Sequence, residues 1–185
     1  MTPDERARLL AIAREAAEAT AGGAAPRPAT GLPHALLDPG AAFVTLRVGG
    51  ELRGCIGHLE AHKPLWLSVQ EMAVAASSRD DRFAPLAPAD LPRLSIGISV
   101  LSPMRRARPE EVVIGTHGLH VRIERASGLL LPQVPVEWGW DRAEFLRQAC
   151  RKAGLPPDAF LDPACELSVF TAEVFGDEEP SQGTQ

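Results

Sequence analysis

The 185-residue chain is short of positive charge: 19 Lys and Arg stand against 24 Asp and Glu, a formal net charge of −5. That argues against a nucleic-acid surface, which normally shows as a basic stripe. No apolar run approaches the ~18 residues of a membrane span, so no membrane association is expected. Cysteine is scarce, with only Cys55, Cys150 and Cys165. There is no C-x-x-C and no H-E-x-x-H, and the histidine pairs His58/His62 and His117/His120 do not fall on helices, so no metal site is expected. There is no G-x-x-x-x-G-K-[ST] and no Rossmann glycine fingerprint, which removes the usual nucleotide routes, and no cofactor is implied. The N-terminus opens on a charged amphipathic stretch rather than a secretory signal. An odd cysteine count in that setting predicts reduced thiols and a cytoplasmic protein.

What is present is ordinary globular material, 45% hydrophobic and 23% charged. A chain of this size buries roughly 70% of its unfolded surface, enough for one domain in one or two lobes. Thr2, Pro3 and Glu5 form a capping box that opens a helix with the stripe Leu9, Ile12, Ala13, Ala16 and Ala17, ended by Gly22-Gly23. Residues 24–40, rich in Pro, Ala and Gly, read as a connector. Residues 42–48 and 51–56 read as a hairpin turning at Gly49-Gly50, with Val48 opposite Glu51 and Val44 opposite Cys55. A second helix starts at Pro64 and runs to Ser78; a strand covers 94–102. Residues 119–124 and 129–131 read as strands joined across Ser127-Gly128. Asp141 and Glu144 cap a further helix ended by Gly154, and 167–175 reads as one last strand. Residues 177–185 read as a polar tail. Helices and hairpins without β-α-β alternation predict an α+β fold with largely antiparallel sheet, residues 1–176 forming the domain.

The string Leu52-Arg53-Gly54-Cys55-Ile56-Gly57 stands out. A thiol sits between glycines, two positions after an arginine. In an unbroken strand Arg53 and Cys55 share a face, within ~7 Å along the chain. A bulge at Gly54 breaks that register. Three readings are open. Cys55 is a nucleophile or covalent carrier whose thiolate Arg53 favours while also holding an anionic group. Or it is a small core residue in a tight bend. Or the amides of Gly54 and Gly57 bind an anion as a nest, with the thiol passive. The G-x-x-G spacing also occurs in KH loops, but those sit between helices with basic flanks.

With five further strings, L-R-G-C-I-G resembles the AMMECR family (AmmeMemoRadiSam system protein A type). They are D-D-R-F-A-P at 80–85, I-G-T-H-G-L at 114–119, L-L-P-Q-V at 130–134, E-W-G-W-D at 137–141 and K-A-G-L at 152–155. The resemblance spans about residues 41–175. It implies an α+β domain with two sub-lobes, a cytosolic setting, and Memo-like and radical SAM protein partners. It supplies no settled reaction. Lacking a closely spaced cysteine trio, this chain leaves any iron–sulfur chemistry to a partner.

Other candidates fall in these strings. His117, between Gly115 and Gly118, is a base or a turn-stabilising hydrogen-bond partner. Glu137, beside Trp138 and Trp140 on a loop, orients His117 or is simply solvated. Arg82 and Gln133 join Arg53, Gly54 and Gly57 as ligand-binding candidates, although Arg82 also reads as a structural ion pair with Asp81. Two functions follow. One is a thiol-dependent enzyme acting on a small or carrier-bound anionic substrate, with Cys55 as nucleophile and His117 and Glu137 as acid–base pair. The other is a module that binds a ligand or partner with the same loop and does no chemistry.

Overall fold

The computed structural model describes residues 1–177. In chain order its main elements are α1 (Pro3–Ala21), β1 (Ala41–Val48), β2 (Glu51–Gly57), α2 (Leu65–Ser78), β3 (Leu94–Leu101), β4 (Arg105–Arg106), β5 (Gly118–Ile123), β6 (Ala126–Leu130), α3 (Val134–Glu137), α4 (Arg142–Lys152), β7 (Glu166–Phe170) and β8 (Ala172–Gly176). The fold is α+β, as the sequence pattern predicts. Its described residues form two compact units: Met1–Leu101 with Glu173–Asp177, and Ser102–Ala172.

The first unit carries a sheet in the order β2-β1-β3-β8. Its apolar face (Ala42, Val44, Leu46, Ile96, Ile98) packs with the stripes of α1 and α2. The Thr2 capping box forms as read, and Leu9, Ile12, Ala13, Ala16 and Ala17 are all buried. The 24–40 connector is ordered by α2: Gln70 Nε2 donates to Arg27 O at 2.7 Å, Ser68 Oγ donates to Gly40 O, and Leu65 N donates to Asp38 O. Of the expected polar tail, residues 178–185 lie outside the described residues. Asp177 itself accepts from Ile96 N at 2.9 Å and from Arg14.

The hairpin turns at Gly49-Gly50, both left-handed at φ 61° and 86°, and Val48 faces Glu51. The rest of the register differs from the expectation. Leu46 pairs with Gly54 and Arg47 with Leu52, so Arg53 is an extra, bulged residue. Cys55 therefore faces Thr45, not Val44. A bulge breaks strict alternation, so Arg53 and Cys55 lose the shared face that a regular strand gives them.

The second unit carries a sheet in the order β4-β7-β5-β6. Phe145, Leu146, Ala149 and Cys150 of α4 are buried in a core with Leu119, Val121, Leu167 and Val169. Asp141 caps α4 by accepting from Glu144 N at 2.8 Å. Two expectations need correction here. The β5–β6 turn falls at Glu124-Arg125, because Arg122 pairs with Ser127 and Ile123 with Ala126. Glu124 takes the left-handed conformation itself, at φ 52°. Gly128 instead lies inside β6, where a Cβ would meet Ala153 N at 2.5 Å and Ala149 O at 2.9 Å. The expected strand over 167–175 is two strands, β7 and β8, in different sheets, with the change at Thr171.

Candidate functional site

β2 is the edge strand of its sheet. Two peptide groups flank the Cys55 side chain, and both are gripped from outside the sheet. Cys55 N donates to Asp80 Oδ2 at 2.8 Å, and Arg82 Nη2 donates to Cys55 O at 3.3 Å. Because these groups point away from β1, the Thr45–Cys55 pair is a non-hydrogen-bonded one, in which opposing side chains stand closest. Thr45 Oγ1 and Cys55 Sγ lie 3.2 Å apart accordingly. The thiol is half-buried.

Asp80 is 7% exposed, at the exit of α2. It takes Arg82 Nε at 2.8 Å on Oδ1 and Arg82 Nη2 at 2.7 Å on Oδ2, a bidentate pair. The Arg82 guanidinium, then the Cys55 amide, hold its carboxyl far below the usual carboxylate range against the opposing cost of burial. Arg82 is held protonated by Asp80 first, with a smaller attraction from Cys55. Its Nη1 makes no hydrogen bond among the described residues, and its side chain is 59% exposed, lying over the Phe83 ring at 5.2 Å. The ion pair expected between Asp81 and Arg82 is thus made by Asp80 instead: Asp80 points inward while Asp81 is exposed.

Arg53 is committed elsewhere. Its Nη2 donates to Pro85 O at 3.2 Å and lies 3.6 Å from Asp90 Oδ2. The Ala87 amide, and after it Arg53, keep Asp90 below its ordinary range. The guanidinium that grips the Cys55 peptide is therefore Arg82. Gly54 and Gly57 each have a packing reason to lack a side chain. A Cβ at Gly54 would stand 2.1 Å from Ala76 O of α2, and one at Gly57 would stand 2.2 Å from the Phe43 ring.

His117, Glu137 and Gln133 belong to the second unit. His117 Nδ1 accepts from Val113 N at 3.1 Å, and His117 N donates to Val113 O at 2.9 Å, so the ring braces its own turn. Glu137 is exposed and forms no ion pair among the described residues. Gln133 starts the α3 turn with its Oε1 buried and without a hydrogen-bond partner among the described residues. Trp138 and Trp140 stack with ring centroids 5.9 Å apart. The other two thiols also lie here, and burial pushes both up, with Asp162 and Glu166 adding to the effect at Cys165.

With this geometry in view, similarity to known proteins is decisive on family. The AMMECR1 family profile matches residues 10–175. The chain belongs to the AMMECR1 family. It is 50% identical over 148 residues to a Methanopyrus kandleri protein, covering 75% of this chain and 72% of that one. It is 41% identical over 183 residues to a Methanothermobacter thermautotrophicus protein, covering 95% of each. Among solved structures, an uncharacterized protein from Pyrococcus horikoshii matches with a TM-score of 0.89 at 36% identity, over 100% of this chain and 97% of that one.

Two residues of this AMMECR1 chain escape a sequence reading. Asp80 is one; the paired aspartates of D-D-R-F-A-P are a signal, but not of which one turns inward. His58 is the other. Its Nδ1 lies 2.8 Å from Glu60 O, an acceptor only, so Nδ1 carries a proton. Its Nε2 is buried without a partner among the described residues. Nothing in an H-L-E sequence announces it. No group of three or more His, Cys, Asp or Glu among the described residues is arranged to hold a metal ion. No helix among them is long and apolar enough to cross a membrane.

Proposed function

We propose that Cys55 is the working thiol of a site for a small or carrier-bound anionic substrate, with Arg82 as the guanidinium that meets the anion. The observation that carries this reading is the grip on the Cys55 peptide by Asp80 and Arg82, which leaves Arg82 Nη1 over. A reactive cysteine needs access and a cationic neighbour. Cys55 has both, whereas burial holds the Cys150 and Cys165 thiols up. Arg53, Gly54 and Gly57 shape the loop: Arg53 by tying the bulge to Asp90, the glycines by letting β2 lie close to α2 and Phe43. In this reading the chemistry takes place in a reducing cytoplasm, where free thiols persist. The chain acts in concert with Memo-like and radical SAM proteins, the partners that the resemblance implies.

A second reading is a binding module that uses the same loop without chemistry. The state of Asp80 favours it: a carboxylate held that acidic is a poor proton acceptor, and His117 already spends Nδ1 on its own turn.

Iodoacetamide labelling of the three cysteines, read by mass spectrometry across pH, separates the two. We expect Cys55 to label first near neutral pH, Arg82→Met to slow it several-fold, and Arg53→Ala to change it little. If Cys55 labels no faster than Cys150 or Cys165, or ignores the loss of Arg82, the thiolate reading fails and the binding module stands.

A further inference from the structure

The second unit carries an apolar surface that the thiol reading does not use. α3 is a single turn, and the chain leaves it through four successive backbone bonds: Glu137 N to Gln133 O, Trp138 N to Val134 O, Gly139 N to Val136 O, and Trp140 N to Pro135 O. Gly139, left-handed at φ 63°, permits the reversal. This bonding holds out side chains that a folded domain normally buries. Trp138 is 69% exposed, and Val136 is 60% exposed. Val113, 51% exposed, extends the patch. The turn carrying Val113 lies against α3, since a Cβ at Gly115 would touch Val136 Cγ2 at 3.3 Å. Trp140 is half-buried, packs on the unit's core and backs Trp138 by stacking at 5.9 Å and 19°. One indole face is thereby supported and the opposite face is open.

Among the described residues, the patch holds one carboxylate that the neighbouring arginines leave unpaired. Residues 109–117 and 133–141 carry Glu110, Glu111, Glu137 and Asp141; Arg108 and Arg142 flank them, and Arg142 Nη1 donates to Glu110 O at 2.7 Å. Three of the four acids have work: Glu110 and Glu111 pair with arginines, and Asp141 caps α4. Glu137, between Val136 and Trp138, has no ion-pair partner among the described residues. An exposed aromatic face beside a free carboxylate is the arrangement that receives a cationic side chain, the ring by cation–π attraction and the carboxylate by pairing. Exposed valines beside it take aliphatic side chains. Rigid aromatic anchors inside a small apolar patch are where binding energy concentrates in protein interfaces.

We propose that the Val113, Val136, Glu137 and Trp138 surface is a docking site for a basic, partly aliphatic peptide segment of a protein partner. One Arg or Lys of the segment lies over Trp138 and pairs with Glu137, and neighbouring aliphatic side chains cover Val136 and Val113. This is a surface for a partner, independent of whether Cys55 performs chemistry.

The test uses the full chain and a fluorescein-labelled peptide of alternating arginine and leucine, followed by anisotropy, with a glutamate-for-arginine peptide as counterpart. Expected are saturable binding of the basic peptide alone and weakening by added salt. Trp138→Ala and Glu137→Lys each lose about tenfold in affinity, the scale of one cation–π or charge contact. Both positions are exposed, so the fold survives the changes, and thermal midpoints confirm it. Glu15→Lys, an exposed charge change on α1, and Cys55→Ser leave binding unaltered. Three results overturn the proposal. The basic and acidic peptides bind alike; Trp138→Ala or Glu15→Lys behaves as the other is expected to; or no saturation is reached at millimolar peptide.

Discussion

The two hairpins solve the same problem with different residues. Each places an edge strand, β2 or β6, against a helix, and in each a glycine sits where helix backbone comes too close for a side chain: Gly54 against Ala76 O, Gly128 against Ala149 O and Ala153 N. They differ at the turn. Gly49-Gly50 supplies two left-handed residues at no steric cost, whereas the second hairpin puts Glu124 into that conformation at φ 52°. In the second hairpin the nearby glycine is reserved for the helix contact. A close approach of backbone to backbone cannot be relieved by repacking. A strained turn residue can be carried at modest cost, so the glycine goes where it has no substitute.

The largest effect expected from this comparison is at the helix contacts. Gly54→Ala should cost about 3 kcal/mol or more and Gly128→Ala about 2 kcal/mol, since a new Cβ collides with main chain that cannot move aside cheaply. Urea midpoints measure both. A loss below about 1 kcal/mol at Gly54 would mean that α2 slides freely on the sheet. Next comes the grip on β2, for which β6 has no counterpart among the described residues. Asp80→Ala should cost about 2–3 kcal/mol by stranding the Cys55 amide and Arg82. Asp80→Asn keeps an acceptor for that amide and should cost less. The folded-state pKa of Asp80 lies below its unfolded value, so its contribution is complete above pH ~4 and fades as pH falls below that. The Asn variant should flatten that part of the stability–pH curve. An unchanged acid slope would detach Asp80 from it. Smallest is the turn: Glu124→Gly should raise stability by about 0.5–1 kcal/mol and Gly50→Ala lower it by a similar amount. If Glu124→Gly destabilises, the Glu124 conformation is not a strained one.

Local signals were readable in the sequence. Thr2 with Glu5, Asp141 with Glu144, and the Gly49-Gly50 turn are decided within a few residues of chain, and each stands where the pattern puts it. What the pattern misses is decided at a distance. The bulge at Arg53 depends on where Asp90 and Pro85 lie, 30 or more residues along the chain. The break at Thr171 depends on two sheets that each claim one half of an unbroken-looking apolar run. The choice between Asp80 and Asp81 depends on the angle at which the chain leaves α2, and periodicity does not encode it. The motif string points to Cys55; the guanidinium that bonds its peptide is Arg82, which the sequence also offered for ligand binding, while the nearer-in-sequence Arg53 turns to Pro85.

The grip on Cys55 also bears on how these molecules behave toward one another. An unpaired strand edge invites a strand from another molecule to extend the sheet, the first step toward fibrous aggregates. At the middle of β2 that invitation is withdrawn, because the chain's own Asp80 occupies the N–H and Arg82 the C=O. Acid that discharges Asp80 would reopen the edge, making prolonged low pH a condition under which this protein loses its protection against sheet growth.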